Sequence, residues 1–127
     1  MPAITVTNAG RGLYRDSVSG ANNPLISFVA VGTGSTAPGI GQTQLVAESY
    51  RKAITSYVNG AAPGEILVNC YLGPGDDVGD SIAEIAFFGG SSATGAPNTG
   101  IMVARGLYSH TKLAVESIQL QLDLNFT

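Results

Sequence analysis

The sequence has few charged residues. Asp, Glu, Lys and Arg make up 12% of its 127 residues, against roughly 25% in an average globular domain. A surface with so little charge is weakly hydrated, and such surfaces are often buried against other subunits. The six Lys and Arg residues are scattered and the formal net charge is −3, so we expect no nucleic-acid binding.

Cysteine is almost absent, since Cys70 is the only one. A single cysteine excludes an internal disulfide and a CxxC site. Because Cys70 lies in a strand-like apolar run, we expect a small buried core residue rather than a reactive thiol.

Long apolar runs are also missing, and no stretch approaches the length of a membrane span. The first ten residues, MPAITVTNAG, lack the basic and apolar regions of a Sec signal. We therefore expect no membrane contact. The chain is expected to be kept in a cytosol or built into a particle assembled there.

Glycine is plentiful, and one Gly-rich loop follows an apolar run in residues 28–41, FVAVGTGSTAPGIG. Residues 32–37 match G-x-G-x-x-[GA]. A dinucleotide loop must open a long helix whose N-terminus faces a pyrophosphate. Pro38, Gly39 and Gly41 prevent such a helix, and the acidic residue expected about 20 positions later is missing. We interpret the loop as a strand exit and expect no cofactor.

Most of the chain has the pattern of β-strands. From Ile118 to Phe126 apolar and polar residues alternate strictly. In Glu65–Leu72 the residues Ile66, Val68, Cys70 and Leu72 face one way, again with a period of two. Strands are predicted over residues 3–6, Leu25–Val31, Arg51–Val58, Glu65–Leu72, Ile82–Phe88, Ile101–Tyr108 and 116–127.

One short helix is predicted from Ala9 to about Ser19, capped by Thr7 or Asn8 and stopped by Gly20. Gly, Pro and Asn turns link the six or seven strands. This pattern predicts an all-β fold, a mainly antiparallel β-sandwich or barrel with one short N-terminal helix, in a single domain spanning residues 1–127.

Two sets of residues could bind a ligand. Asp76, Asp77 and Asp80 could supply oxygen ligands to Ca²⁺, but the EF-hand spacing is missing and Pro-Gly-Asp-Asp is an ordinary turn sequence. Five tyrosines suit a sugar-binding face, but tyrosine is also common in strands and at interfaces. They are Tyr14, Tyr50, Tyr57, Tyr71 and Tyr108.

Catalytic residues are not evident. Ser109 and His110 are adjacent in a predicted strand and would point to opposite faces, and no G-x-S-x-G motif exists. Glu48 and Glu84 are the only carboxylates within apolar stretches. We expect Glu84 to face solvent, an arginine such as Arg51 or Arg105, or a partner subunit. An acid/base role would need a second carboxylate nearby, so we predict no enzyme and no catalytic, cofactor or metal residues.

Five segments follow one another along the chain: ITVTNAGRGLYRDSVSG, ISFVAVGTGSTAP, TQLVAESYRKAITS, SIAEIAFFGG and ARGLYSHTK. Taken in this order, they resemble the N-terminal domain of tail-collar and tail-fibre proteins of tailed bacteriophages. That family has a TNAG opening before a small helix, an IALGTG-(x)-AP strand exit, a T-x-L-x-x-E-x-YR segment and an EIGLF-like strand. The positions that match are Gly32, Thr33, Gly34, Pro38, Leu45, Glu48, Tyr50, Arg51, Glu84, Ile85 and Phe87.

The resemblance implies a non-enzymatic virion protein of tail-fibre or collar type. It would be assembled in the bacterial host cytoplasm as a homo-oligomer bound to tail, collar, baseplate or major capsid proteins. Fibre proteins continue into a shaft and a receptor-binding tip, whereas this sequence stops at Thr127. A capsid decoration (cement) protein that stabilises the phage head is therefore the alternative. A third hypothesis is a carbohydrate-binding or Ca²⁺-dependent adhesion module.

Overall fold

The computed structural model describes residues 4–77 and 81–126. Within them one short helix precedes seven of eight β-strands, and every strand pairing is antiparallel. The predicted all-β fold with one N-terminal helix is thus confirmed. The elements are β1 (Ile4–Val6), α1 (Asn8–Val18), β2 (Ile26–Gly32), β3 (Glu48–Ala53), β4 (Ser56–Asn59), β5 (Glu65–Leu72), β6 (Ser81–Gly89), β7 (Ile101–Thr111) and β8 (Ile118–Asn125).

The strands form two sheets that share one apolar core. The larger sheet has the order β1-β7-β6-β2-β3, and the smaller has the order β4-β5-β8. Phe87 of the larger sheet and Leu120 of the smaller sheet are both fully buried in this core. Of the two architectures left open by the sequence, the protein therefore adopts the sandwich.

The alternation at the C-terminal end places β8 as predicted. Ile118, Leu120 and Leu122 are buried, whereas Gln119 and Asp123 are exposed. All eight residues of β8 pair with β5 without a bulge. The apolar face of the strand therefore closes the core, and its polar face forms the outside of the smaller sheet.

The predicted single strand Arg51–Val58 is wrong, because the chain changes sheets in its middle. β3 ends at Ala53 and β4 begins at Ser56. At the corner, the N–H of Ile54 donates to the carbonyl of Ser27 (2.9 Å). The Thr55 hydroxyl oxygen accepts the N–H of Tyr71 (2.9 Å). These hydrogen bonds satisfy backbone groups that leave the ladder, so the corner needs neither Gly nor Pro.

Helix α1 is fixed by both its ends and its packing. Thr7 is the N-cap, since its hydroxyl oxygen accepts the N–H of Gly10 at 3.0 Å. A Cβ atom at Gly10 would lie 2.6 Å from the carbonyl oxygen of Val103, so only glycine allows this close approach to β7. Gly20, with φ of 80°, follows the C-terminal end. No helix within the described residues is long and apolar enough to cross a membrane.

A second apolar cluster lies on the outer face of the larger sheet, away from the core. It is covered by two loops, the β2–β3 loop (residues 33–47) and the β6–β7 loop (residues 90–100). One row across the sheet pairs Arg51 with Ala30, Ala30 with Ala86, and Ala86 with Arg105. The small alanines leave space between the two arginines. The cluster contains Phe28, Ala30, Leu45, Ala86, Phe88 and Met102.

Candidate functional site

The most concentrated polar chemistry is an ion pair on the outer face of the larger sheet. Glu84 of β6 and Arg105 of β7 have side chains with no exposure to solvent. The Arg105 Nη2 and Nε atoms lie 2.9 and 3.1 Å from Glu84 Oε1. The sequence predicted solvent, an arginine or a partner subunit opposite Glu84, and the structure selects Arg105.

The same carboxylate binds the backbone of the β2–β3 loop. Its Oε2 atom accepts the N–H groups of Gly34 (2.8 Å) and Ala47 (2.9 Å), and its Oε1 atom accepts that of Val46 (3.0 Å). Burial raises the pKa of the Glu84 carboxyl, but these N–H groups and Arg105 together lower it below its ordinary value. Glu84 is therefore ionised at neutral pH, and both of its carboxylate oxygens accept hydrogen bonds from the chain itself.

Arg105 completes the attachment from its other side. Its Nη1 atom donates to the carbonyl of Thr36 (2.8 Å) and to Gln42 Oε1 (3.3 Å). Gln42 Oε1 also accepts the N–H of Gly39 at 3.0 Å. We call the Glu84–Arg105 pair with these loop contacts the first clamp. It fixes the β2–β3 loop at both ends and in the middle.

A second clamp fixes the β6–β7 loop in the same manner. Glu48 and Arg51 form a bidentate pair with distances of 2.8 and 2.9 Å, and each side chain is 2% exposed. Arg51 Nη1 donates to the carbonyls of Thr99 (2.8 Å) and Thr94 (3.0 Å). The guanidinium carbon lies 4.2 Å from the centre of the Phe88 ring, a cation–π contact.

The Gly-rich loop binds the carboxylate of Glu84, whereas the corresponding loop of a nucleotide-binding protein would bind a phosphate. β2 ends at Gly32, one residue beyond the predicted end at Val31, and the described residues 33–47 contain no helix. The N–H of Gly34 points at Glu84, and a Cβ atom on Gly34 would lie 2.5 Å from the Glu84 Oε2 atom. The glycine is needed for this close approach.

Asp76 of the predicted acidic loop is engaged by β3. Lys52 Nζ lies 2.6 Å from Asp76 Oδ2, and the Tyr50 hydroxyl lies 2.9 Å from Asp76 Oδ1. Lys52, the N–H of Gly73 and Tyr50 lower the pKa of Asp76 to about 2. Asp77 is buried with φ of 48°. Asp80 lies outside the described residues, among which no group of three or more His, Cys, Asp or Glu side chains could hold a metal ion.

His110 and Cys70 take structural positions. His110 Nε2 lies 2.8 Å from Glu116 Oε2, and its ring stacks on Tyr108 at 5.9 Å between ring centres. Ser109 is exposed beside it. Cys70 is completely buried, as predicted, and burial raises its pKa to about 11.

The five tyrosines do not form one face. Tyr50 binds Asp76 and Tyr108 stacks on His110, while the Tyr71 hydroxyl lies 2.7 Å from Ser117 Oγ. Tyr14 and Tyr57 line an apolar cavity of about 150 Å³ beside the start of β2. Its lining is apolar or aromatic throughout, which leaves few groups to hydrogen-bond a sugar.

Sequence reasoning missed two buried polar side chains, those of Asn69 and Lys112. Asn69 is 7% exposed, and its Oδ1 atom accepts the side-chain amides of Gln121 (2.8 Å) and Gln119 (3.1 Å). Lys112 has no exposure, and its Nζ atom donates to the carbonyl of Leu113. No sequence motif marks either residue, because their partners come from other strands or from a turn.

Five positions of the sequence pattern described above meet on the outer face of the larger sheet although they are far apart in sequence. Gly34, Leu45 and Glu84 belong to the first clamp or the cluster beneath it, and Glu48 and Arg51 form the second. No family model, curated protein or solved structure matches this chain.

Proposed function

We propose that the chain is a non-enzymatic structural protein of a tailed-bacteriophage particle, of the tail-fibre or collar attachment type. It would act as a homo-oligomer that buries loops and β-surface against other virion subunits. Tail, collar, baseplate and major capsid proteins are the classes of partner. The proposal starts from the ordered sequence motifs described above.

The observation that carries the proposal is how the motif residues are used. Glu48, Arg51 and Glu84 have nearly or fully buried side chains, and their polar atoms bind backbone groups of two surface loops. Such residues shape a surface rather than transform a substrate. A virion subunit needs loops of fixed shape, since each copy must meet the same neighbour in the same way.

The clamped β2–β3 loop also presents apolar side chains to solvent. Ile40 is 53% exposed and Val46 is 55% exposed, although the backbone N–H of Val46 is held by Glu84. Exposed apolar residues on a fixed loop are typical of a protein–protein contact. The low charge of the chain, 12%, favours the same interpretation.

The composition of purified particles tests the proposal. Quantitative mass spectrometry of virions from the phage that encodes this chain should find a few to a few dozen copies per particle. Hundreds of copies would instead identify a capsid decoration protein. Complete absence of the chain from the particles would overturn both assignments.

A variant of the exposed loop tests the contact itself. Ile40→Lys should fold normally but enter particles less efficiently, because a charge would be desolvated in the contact. Val18→Lys is the matched control, since Val18 is 90% exposed on α1, away from the loop. Equal incorporation of the two variants would show that the loop is not the contact.

A further inference from the structure

The two sheets end in four edge strands, and β8 differs from the other three. β1 has three residues and β4 has four, while β3 carries Glu48, Arg51 and Lys52. Short length and charge are common protections against edge-to-edge pairing. β8 has eight residues, one charge, no proline and no bulge, and among the described residues it pairs with β5 alone.

We propose that the free edge of β8 binds β8 of a second copy of this chain, antiparallel and about a two-fold axis. The two smaller sheets would then form one six-stranded sheet across the dimer. An antiparallel strand pair is the arrangement that a two-fold axis generates from two identical strands. Backbone hydrogen bonds of the added strand supply the contact, as in other cases of strand addition.

The sequence of β8 is complementary to itself in the antiparallel register centred on Gln121. When Gln121 lies opposite Gln121 of the second copy, Gln119 lies opposite Asp123 on the polar face. Leu120 then meets Leu122, and Ile118 meets Leu124, on the apolar face. Each Asp123 faces an amide instead of a like charge. A register centred on Asp123 would place the two carboxylates against each other.

The residues that flank β8 favour a second copy as the occupant. Val115 before the strand is 85% exposed, and Phe126 after it is 58% exposed. Antiparallel pairing brings Val115 of one copy to the end where Phe126 of the other copy lies, at both ends of the contact. A parallel arrangement would leave these residues at opposite ends. The exposed apolar residues thus match the same symmetry as the strand.

Cysteine cross-linking tests the register directly. In Gln121→Cys the two Cα atoms would be about 4.5–5.5 Å apart across the axis, within the range that a disulfide spans. Mild oxidation should therefore give a covalent dimer. The native Cys70 is completely buried, so the unaltered chain, which should remain uncross-linked, is the control.

Two variants on the same polar face are matched controls. In Gln119→Cys, or in Asp123→Cys, the like residues would be about 14 Å apart, since four residues separate them along the strand. Neither variant alone should cross-link, but an equal mixture of the two should. Cross-linking of Gln119→Cys with itself as fast as Gln121→Cys, or none at any position, would overturn the pairing.

Charge variants give a second measurement that needs no new thiol. Gln119→Lys places a cation opposite Asp123 of the second copy and should lower the dimer dissociation constant several-fold in sedimentation velocity. Gln119→Asp should raise it several-fold. A chain that stays monomeric at all concentrations, or equal constants for the two variants, would refute the proposal. The purified protein suffices, so the result is independent of whether the chain occurs in virions.

Discussion

Glu84 carries its negative charge at a position with no exposure to solvent, where five donors from the chain surround it. A buried carboxylate is tolerated only when its charge is paired and its lone pairs are filled. Removal of any one partner therefore lowers the free energy of unfolding by more than the intact pair adds to it. At the scale of the residue, the fold is therefore sensitive to the loss of any one of a few polar atoms.

Glu84→Gln should lower the free energy of unfolding by about 3 kcal/mol, because Arg105 is left buried without a counter-charge. Urea denaturation at neutral pH measures the change. Asp16→Asn is the matched control, since it removes an acid from the exposed Arg15–Asp16 pair and should cost less than about 0.5 kcal/mol. Similar losses in the two variants would show that the first clamp is not a buried ion pair.

The low pKa of Asp76 predicts how the stability of the protein depends on pH. Its pKa is about 2 in the fold and 3.8 without these contacts, so it stabilises the protein above pH 3.8. This contribution is lost as the pH falls through 3.8 towards 2, because the unfolded chain binds the proton more readily. Denaturation midpoints at pH 5 and pH 2.5 should differ less for Asp76→Asn than for the wild type. An equal difference would contradict the assignment.

At the scale of elements, the sequence pattern predicted those features of strands and helices that depend on residues close together in the sequence. The alternation in β8 is a local signal and is confirmed. Local sequence also limited the cap of α1 to Thr7 or Asn8, and the structure selects Thr7. The corner at Ile54 and Thr55 has no such signal, because its hydrogen bonds go to Ser27 and Tyr71. The sequence therefore predicted one continuous strand where the chain passes from the larger to the smaller sheet.

The clamps were only partly predictable for the same reason. The order of the motif positions drew attention to Glu48, Arg51 and Glu84, but not to what they bind. Their partners are backbone groups 37 to 50 residues away for Glu84. Such contacts follow from how the strands lie in the sheet, which a single sequence does not specify.

Two glycines of the β2–β3 loop test its attachment. In Gly34→Ala the added methyl group would meet Val46 and Glu84, so we expect a loss of about 1–3 kcal/mol and faster proteolysis of the loop. Gly39→Ala is the control, because a Cβ atom there meets nothing within 4 Å. If Gly39→Ala destabilises as much, backbone freedom rather than the clamp governs this loop.

Leu122 tests the apolar face of β8. It is 1% exposed between the sheets, so Leu122→Asp would bury an unpaired charge and should prevent folding or assembly. Circular dichroism and size-exclusion chromatography would measure this. Leu113→Asp makes the same substitution at a side chain that is 62% exposed and should remain folded. A folded, fully incorporated Leu122→Asp protein would show that this face is misplaced.

At the scale of the whole molecule, self-association couples stability to concentration. If β8 pairs with a second copy, a 100-fold increase in protein concentration should raise the Tm by roughly 2–5 °C. Differential scanning calorimetry over that range measures the shift. Gln119→Asp, which opposes Asp123 across the axis, should show a smaller rise. A Tm that does not change with concentration would contradict a reversible dimer.

The two clamps reduce the positive charge that the molecule exposes to solvent. Arg51, Arg105 and Lys112 are withdrawn from the surface or nearly so, and Lys52 neutralises Asp76. In the described part of the chain, Arg11 and Arg15 of α1 are the basic residues that remain exposed. Helix α1 also contains Asp16, which pairs with Arg15 at 2.9 Å, so the net charge of the helix is +1. A partner that met the surface of the molecule would therefore displace water from very few basic groups, and the desolvation cost of the contact would be small.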